Sequence, residues 1–425
     1  MSFAPPIAVI SHAHPSISKG GAEIAAATLF SGLRTLGVPA ILIAAVPERE
    51  RHRLDLGADE YAVFHDQDRY EHLYQLAEPA VPRQLCAILD ATGAEQLVFH
   101  HFLWLGLNSL REALALPGRR AMLVLHEFLA QCHNHGQMIT TTSQLPCRSA
   151  TASRCATCFP ALGRPRFELR RRVVGEVFDR LDGFISPSRF LADRYIEWGV
   201  PAERMHVVEN GLLQPALAMP GEPAGHRRGF VFGFFGQLNP FKGVDVLLAA
   251  AERLAAIAGI EIRIHGNVIG LPEAFQARLD RLGEALPQLR IMGAYENDQV
   301  GALMQDCDYV VVPSIWWENS PVVIQEAYAA GRPVICSGIG GMAEKVVPGV
   351  SGLHFRRGDA ADLAQVMQAA ANPEILAKLR AGLPQPADAP TMARHYLAAM
   401  GLQPAEAEAA APARKPRRAA ARLPA

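Results

Sequence analysis

Short apolar runs recur along the chain at helix-length intervals. In the first half they are "IAVIS" (7–11), "PAILIAAV" (39–46), "QLVFHH" (96–101), "AMLVLHEF" (121–128), "LDGFISPS" (181–188) and "MHVVENG" (205–211). Each is continuous rather than alternating and ends in small or polar residues, the pattern of a strand buried on both faces. Between the first two, "AEIAAATLFSGLRTLG" spaces its apolar positions for a helix and stops at Gly37. Strand runs separated by helix-length segments predict a parallel sheet covered by helices.

The pattern lapses over "LLQPALAMPGEPAGHRRG" (212–229), rich in Pro and Gly and without a period, and then restarts. The second series is "FVFGFFG" (230–236), "EIRIHGN" (261–267), "LRIMGAY" (289–295), "YVVVPS" (309–314) and "PVICS" (333–337). The expected fold class is α/β, with two Rossmann-like parallel-sheet domains facing each other across a cleft. The first spans 1–212 and carries a cysteine-rich insertion at about 130–160; a linker covers 213–228, and the second domain covers 229–385. "APTMARHYLAAMG" lies in a final helix over 386–402, and 403–425 reads as a disordered Ala/Pro/Arg tail.

Composition narrows the classes. With 41 Lys plus Arg against 42 Asp plus Glu, the net charge of −1 leaves no footprint for nucleic acid. No apolar run reaches the length of a membrane span, and "MSFAPPIAVISHAHP" lacks the basic start of a secretory leader. Seven cysteines in a long chain do not suggest a secreted disulfide framework. The expected location is cytoplasmic; the basic finish from Arg414 to Arg422 could add peripheral contact with anionic lipid at the inner face of the membrane, a solvated tail being the simpler reading.

Candidate chemistry concentrates in "WWENSPVVIQEAYAAG" (316–331). Ser320 and Pro321 read as a helix opening, with the serine hydroxyl as cap, and Gly331 as the stop. Glu318 then lies in the loop at the carboxyl end of a strand, and Glu326 on the second helical turn can lean back toward the same mouth. The free amides from Asn319 to Val323 attract an anion there. Together these describe a site for a phosphorylated sugar or nucleotide; the competing reading is a helix start with one surface acid and one capping acid. A second loop, "GFFGQLNPFKGVDVLLAA" (233–250), runs from a strand through a glycine-bearing turn into a helix and places Lys242 at its entrance, a cation for phosphate oxygens. It is not a Walker A loop, and Gly20–Gly21 is not part of a G-x-G-x-x-G pattern.

These motifs, with "GGAE", "LHEF", "FISPSRF", "VVENGL" and "GVSGLHFRRGD" in the same order, resemble the retaining glycosyltransferases of the GT-B fold, family 4, over roughly residues 7–400. The resemblance implies that Glu318 and Glu326 form the family's E-x7-E motif. Glu326 would hold the ribose diol of a nucleotide-sugar donor, while Glu318 and the stretch Asn319, Ser320, Pro321 and Val322 would grip the transferred sugar. Lys242, with Gly236 and Gln237 before it, would face the diphosphate; Gly21 would lie across the cleft, and His126 would look toward the donor sugar. The implied activity is transfer, with retention, of a hexose-type sugar from a UDP or GDP donor to a glycan or lipid-linked acceptor in surface polysaccharide or glycoconjugate synthesis. Catalysis would rest on stabilising the departing diphosphate and would need no cofactor. One departure stands out: Gln237 replaces the family's usual Arg, removing a cation from the diphosphate. A GT-B sugar-nucleotide epimerase and a catalytically silent nucleotide-sugar-binding protein are the alternatives.

His100 and His101 end a neighbouring strand and are acceptor-side candidates, against a structural role. Cys132, Cys147, Cys155 and Cys158 could close a tetrahedral structural zinc site pinning the insertion. Free thiols compete with that reading, and an iron–sulfur cluster is a third. Cys86, Cys307 and Cys336 sit in apolar runs and read as packing residues.

Overall fold

The computed structural model describes residues 5–18, 20–213, 229–268 and 273–402, so most of the linker and all of the tail lie outside it. Two parallel sheets make up the molecule. The first contains β1 (Ile7–Ser11), β2 (Ala40–Pro47), β3 (Glu60–His65), β4 (Gln96–Phe99), β5 (Arg120–Val124), β6 (Gly183–Ser186) and β7 (Met205–Val207), in the order β3-β2-β1-β4-β5-β6-β7. The second contains β8 (Phe230–Phe235), β9 (Ile260–His265), β10 (Leu289–Gly293), β11 (Tyr309–Val312), β12 (Val334–Ser337) and β13 (Gly352–Phe355), in the order β10-β9-β8-β11-β12-β13.

Continuous apolar runs form these central strands because both faces are covered. In β1, Ala8 and Ile10 feed one core cluster while Ile7 and Val9 feed the cluster on the opposite face. In β8, Phe232 and Phe234 likewise oppose Val231 and Phe235. β1 is paired on both edges, with Val9 opposite Leu42 and Val98. β3 and β13 have no counterpart among the strand runs read from the sequence.

The last helix, Ala389–Ala399, follows the second sheet yet packs on helix Gly21–Thr35 of the first, burying Met392, Ala393, Tyr396 and Leu397 in the first sheet's core. Side chains tie the lobes together elsewhere. The Glu344 carboxylate accepts from the Arg189 and Phe190 amides at 2.7 and 2.6 Å, where it meets the positive end of helix Arg189–Trp198. Gln325 Nε2 donates to the Asn210 carbonyl at 2.5 Å, and Trp317 Nε1 to the Cys147 carbonyl at 3.2 Å. Among the described residues no helix is long and apolar enough to cross a membrane.

Candidate active site

In each sheet the strand order reverses direction once, between β1 and β4 and between β8 and β11. Open α/β sheets bind ligands in the crevice outside the carboxyl ends at such a point. A cavity lies at each: about 560 Å³ beside β8 and β11, and about 840 Å³ beside β1, β4 and β5. Gly21, His126, Glu127, His135, Ser320 and Val322 line both, so the two spaces adjoin.

The smaller cavity is built around a lysine. After β8 the chain passes Gly236 and Gln237, and the Asn239 side chain then accepts from the Phe241 and Lys242 amides at 3.0 and 3.1 Å, winding Pro240–Lys242 into a 3₁₀ turn. Gly243 follows at φ 72°, and a Cβ there would lie 1.9 Å from the Pro313 carbonyl oxygen, so only glycine lets this loop press on the end of β11. That approach brings Lys242 to Glu318. Lys242 Nζ donates to Glu318 Oε1 at 2.7 Å, and Ser314 Oγ and Trp316 Nε1 donate to the same oxygen at 2.8 Å each. Burial alone would raise the Glu318 carboxyl; the ammonium and the hydrogen bonds from Lys242, Trp316 and Ser314 more than offset it, and the group sits below the ordinary carboxylate value. The Lys242–Glu318 contact was not part of the sequence reading, which gave the two residues separate duties.

Asn319, Ser320, Pro321 and Val322 line this cavity with Glu318. The helix runs Val322–Ala329 with Pro321 in the cap position, and the expected serine cap is absent: the buried Ser320 hydroxyl has no hydrogen-bond partner. Pro321 is itself extended, with ψ 117°, so the helix begins one residue later than expected and Ser320 lies outside the cap position, facing the cavities instead. Glu326 is not among the lining residues but lies close enough to couple with Tyr295, which is. Burial lifts its carboxyl to about 7. Tyr295 stands edge-on to a stacked Phe235–His265 pair, whose rings are 4.6 Å apart, giving the cavity an aromatic wall. Lys242 is the only Lys or Arg among the described residues lining this space; Gln237 lines it too, exposed and uncharged. A helix amino end and a lysine can together hold a diphosphate.

The larger cavity is built around histidines. His12 directly follows β1, His101 follows β4, and His126 and Glu127 follow β5. The Leu103 amide donates to His101 Nδ1 at 2.8 Å, which leaves the hydrogen on Nε2, pointed at Glu127 Oε1 2.9 Å away. Burial lowers His12 and His101 to about 4 and raises Glu127 to about 8. His126 is likewise held uncharged by burial; its carbonyl accepts from Asn319 Nδ2 at 3.0 Å, and its Nε2 is 3.1 Å from His100 Nδ1. Of the two acceptor-side candidates, only His101 lines the cavity. His100 is fully buried behind His126, with Tyr396 of the last helix stacked 6.0 Å away. Sequence reasoning missed His12, Glu23, Glu127 and Trp104 on this wall.

The four insertion cysteines lie near one another, since Cys155 couples with Cys132, Cys147 and Cys158, and burial raises the Cys132 and Cys155 thiols to about 11 and about 12. Among the described residues, however, no group of three or more His, Cys, Asp or Glu is arranged to hold a metal ion. Of the four candidate zinc ligands, Cys132 and Cys147 pack half-buried against the first sheet's core, and Cys155 and Cys158 lie on the short helix Ala152–Cys158.

Comparison with known proteins places these features. The family model "Glycosyl transferase 4-like domain" matches residues 20–211, and "Glycosyl transferases group 1" matches 229–372. A D-inositol 3-phosphate glycosyltransferase of Stackebrandtia nassauensis is 29% identical over 214 residues, covering 46% of this chain and 48% of its own. One from Segniliparus rotundus is 35% identical over 197 residues, covering 43% of each. The matched stretch therefore spans about half the length of these relatives. Anabaena Alr3699/HepE, solved in complex with UDP, shares the fold with a TM-score of 0.66 at 19% identity, over 93% of this chain and 99% of its own. The two matched models, in order and meeting the two sheets, make the chain a member of the family 4 glycosyltransferases of the GT-B fold.

Proposed function

We propose that the chain transfers a hexose-type sugar, with retention, from a UDP or GDP donor to a glycan or lipid-linked acceptor, in surface polysaccharide or glycoconjugate synthesis. The observation that supports this reading is the Lys242–Glu318 pair at the start of helix Val322–Ala329, facing Gly21 and His126 across the lobes. A diphosphate entering this space meets an ammonium and a helix amino end, the groups that stabilise it as it leaves the sugar. Glu326, which couples with Tyr295, would accept from the ribose diol, and a charged carboxylate accepts two hydroxyl hydrogen bonds where a protonated one accepts fewer. The larger cavity then receives the acceptor, whose hydroxyl approaches the sugar near His126. Relatives named as glycosyltransferases and a fold neighbour solved with UDP support the donor class.

A thermal-shift panel of nucleotides and nucleotide sugars tests the reading, followed by donor hydrolysis with the ligand that binds. A UDP or GDP compound raises the melting temperature if it is right; no shift with any nucleotide refutes it. Donor turnover that only scrambles the sugar, without an acceptor, would favour the epimerase instead.

A further inference from the structure

The larger cavity has a chemical character of its own. Two carboxyl side chains, Glu23 and Glu127, line it, and among its described lining residues there is no Lys or Arg. Arg170, a buried cation whose charge reaches Glu127, is consumed elsewhere, donating to the Leu73, Leu129 and Ala130 carbonyls. The wall nonetheless carries polar groups without partners. Five buried atoms on lining residues, His12 Nδ1, Glu127 Oε2, His133 Nδ1, Asn210 Oδ1 and Ser320 Oγ, have no hydrogen-bond partner in the structure, a state that costs free energy until a ligand or water supplies one.

Backbone strain converges on the same space. Six described non-glycine residues have positive φ, and three of them line this cavity: Gln75 at 58°, Trp104 at 64° and His135 at 48°. A left-handed conformation is unfavourable for each, and strain gathered around one cavity points to a site whose side chains are aimed for a ligand. The Trp104 indole contributes an apolar surface, fixed by stacking on His65 at 5.4 Å and by the edge of Tyr70.

Uncharged donors and acceptors, an indole surface and carboxyl groups with no cation suit a molecule rich in hydroxyls. They do not suit a phosphate, which would be desolvated beside Glu23 with no Lys or Arg on the described lining to neutralise it. Resting on the transferase reading above, we propose that this cavity selects an uncharged, polyhydroxylated acceptor, a sugar or cyclic polyol, and discriminates against its phosphate monoester. In this it would part from the relatives whose name specifies an inositol 3-phosphate.

The test uses the full chain with whichever nucleotide sugar gives the thermal shift. Matched pairs of cyclic polyols and methyl glycosides, each beside its phosphate monoester, are compared by acceptor-dependent nucleotide release and by saturation-transfer NMR. The uncharged members should bind and raise release above hydrolysis, with kcat/KM at least about tenfold above their esters, the scale set by one unpaired buried charge or hydrogen bond. Equal or better use of the esters overturns the proposal, as does failure of every uncharged member to bind. His135→Arg, at an exposed position on the lining, should narrow the gap by favouring the esters, and an unchanged ratio would also count against it. Loss of selectivity with the nucleotide shift intact defeats this inference alone, whereas absence of any nucleotide shift defeats the transferase reading itself.

Discussion

The two cavities occupy equivalent places in equivalent sheets, yet their electrostatics are opposite in kind. The smaller pairs a lysine with a carboxylate whose charge is kept by three hydrogen bonds. The larger keeps buried histidines uncharged and lifts a carboxyl to about 8. On the proposed reading, one site would meet charge that develops and departs, the other hydroxyls. The fold supplies only the location; a few residues just beyond the strand ends decide the chemistry.

The largest test of this contrast removes the charge from the smaller cavity. Lys242→Ala should lower kcat about 100- to 1,000-fold, the range seen when one preorganised charge-stabilising donor is lost. Hydrolysis of the donor by water should fall equally, because the departing diphosphate is common to both reactions. Substitution of Trp104 in the larger cavity should lower transfer while sparing hydrolysis. If Lys242→Ala leaves kcat within a few-fold of the parent, the cation does no chemical work and the contrast collapses.

How much of this was legible beforehand follows from where each signal lies. Buried strands such as β1, β8 and β11 announce themselves by continuous apolar runs. β3, "EYAVFH", is an edge strand with half-buried positions, and β13, "GLHF", is another edge strand and similarly mixed, so neither stands out. The lysine cavity could be read because its parts come from two loops with local patterns. The histidine cavity could not, since His12, Glu23, Trp104 and Glu127 are single residues from separate segments that only the sheet order brings together. "ISHAHP" after β1 and "LHEF" after β5 held the faint signal. Ser320 failed as a cap for a local reason, the proline after it taking the cap position.

Acid should expose the contrast next. Eight histidines, His12, His65, His100, His101, His126, His133, His265 and His354, are shifted downward by burial, six of them in the N-terminal lobe. Between about 6.5 and the folded value the unfolded chain binds protons that the folded chain refuses, so stability is lost as pH falls. Glu127 and Glu326, raised to about 8 and about 7, act in the opposite direction but are two against eight. Denaturant melts should show net loss from pH 6.5 to pH 4.5, with about 3 kcal/mol available from one group shifted as far as His12. His12→Asn should flatten the slope; a parent that gains stability over that range would show the cluster to be solvated.

Glu326 allows a smaller test with the reverse sign. Its folded value is about 7 against an ordinary 4.5, so between those limits the folded chain holds a proton that the unfolded chain releases. Stability therefore falls as pH rises through the window and stays reduced above it. Glu326→Gln should match the parent near pH 4 and exceed it at pH 8, by roughly 3 kcal/mol. The same variant should weaken donor binding about tenfold, since a hydrogen bond to a charged group contributes about 1.5–3 kcal/mol. Equal pH dependence in parent and variant would remove Glu326 from the desolvated margin of the smaller cavity.

The smallest effect probes what the smaller cavity lacks. Gln237 lines it and is exposed, so Gln237→Arg adds a guanidinium without burying a new charge. A diphosphate held by Lys242 and the helix start would gain a second cation, contributing about 0.5–1 kcal/mol at an exposed site. The donor KM should drop about two- to fivefold at low salt, and the gain should fade as ionic strength rises and screening sets in. Turnover should change little, because the added attraction acts on bound donor and departing diphosphate alike. A KM that rises, or that falls equally at all salt concentrations, would mean that the phosphates do not pass Gln237. Lys242 and the helix amides would then be holding them deeper, toward Glu318.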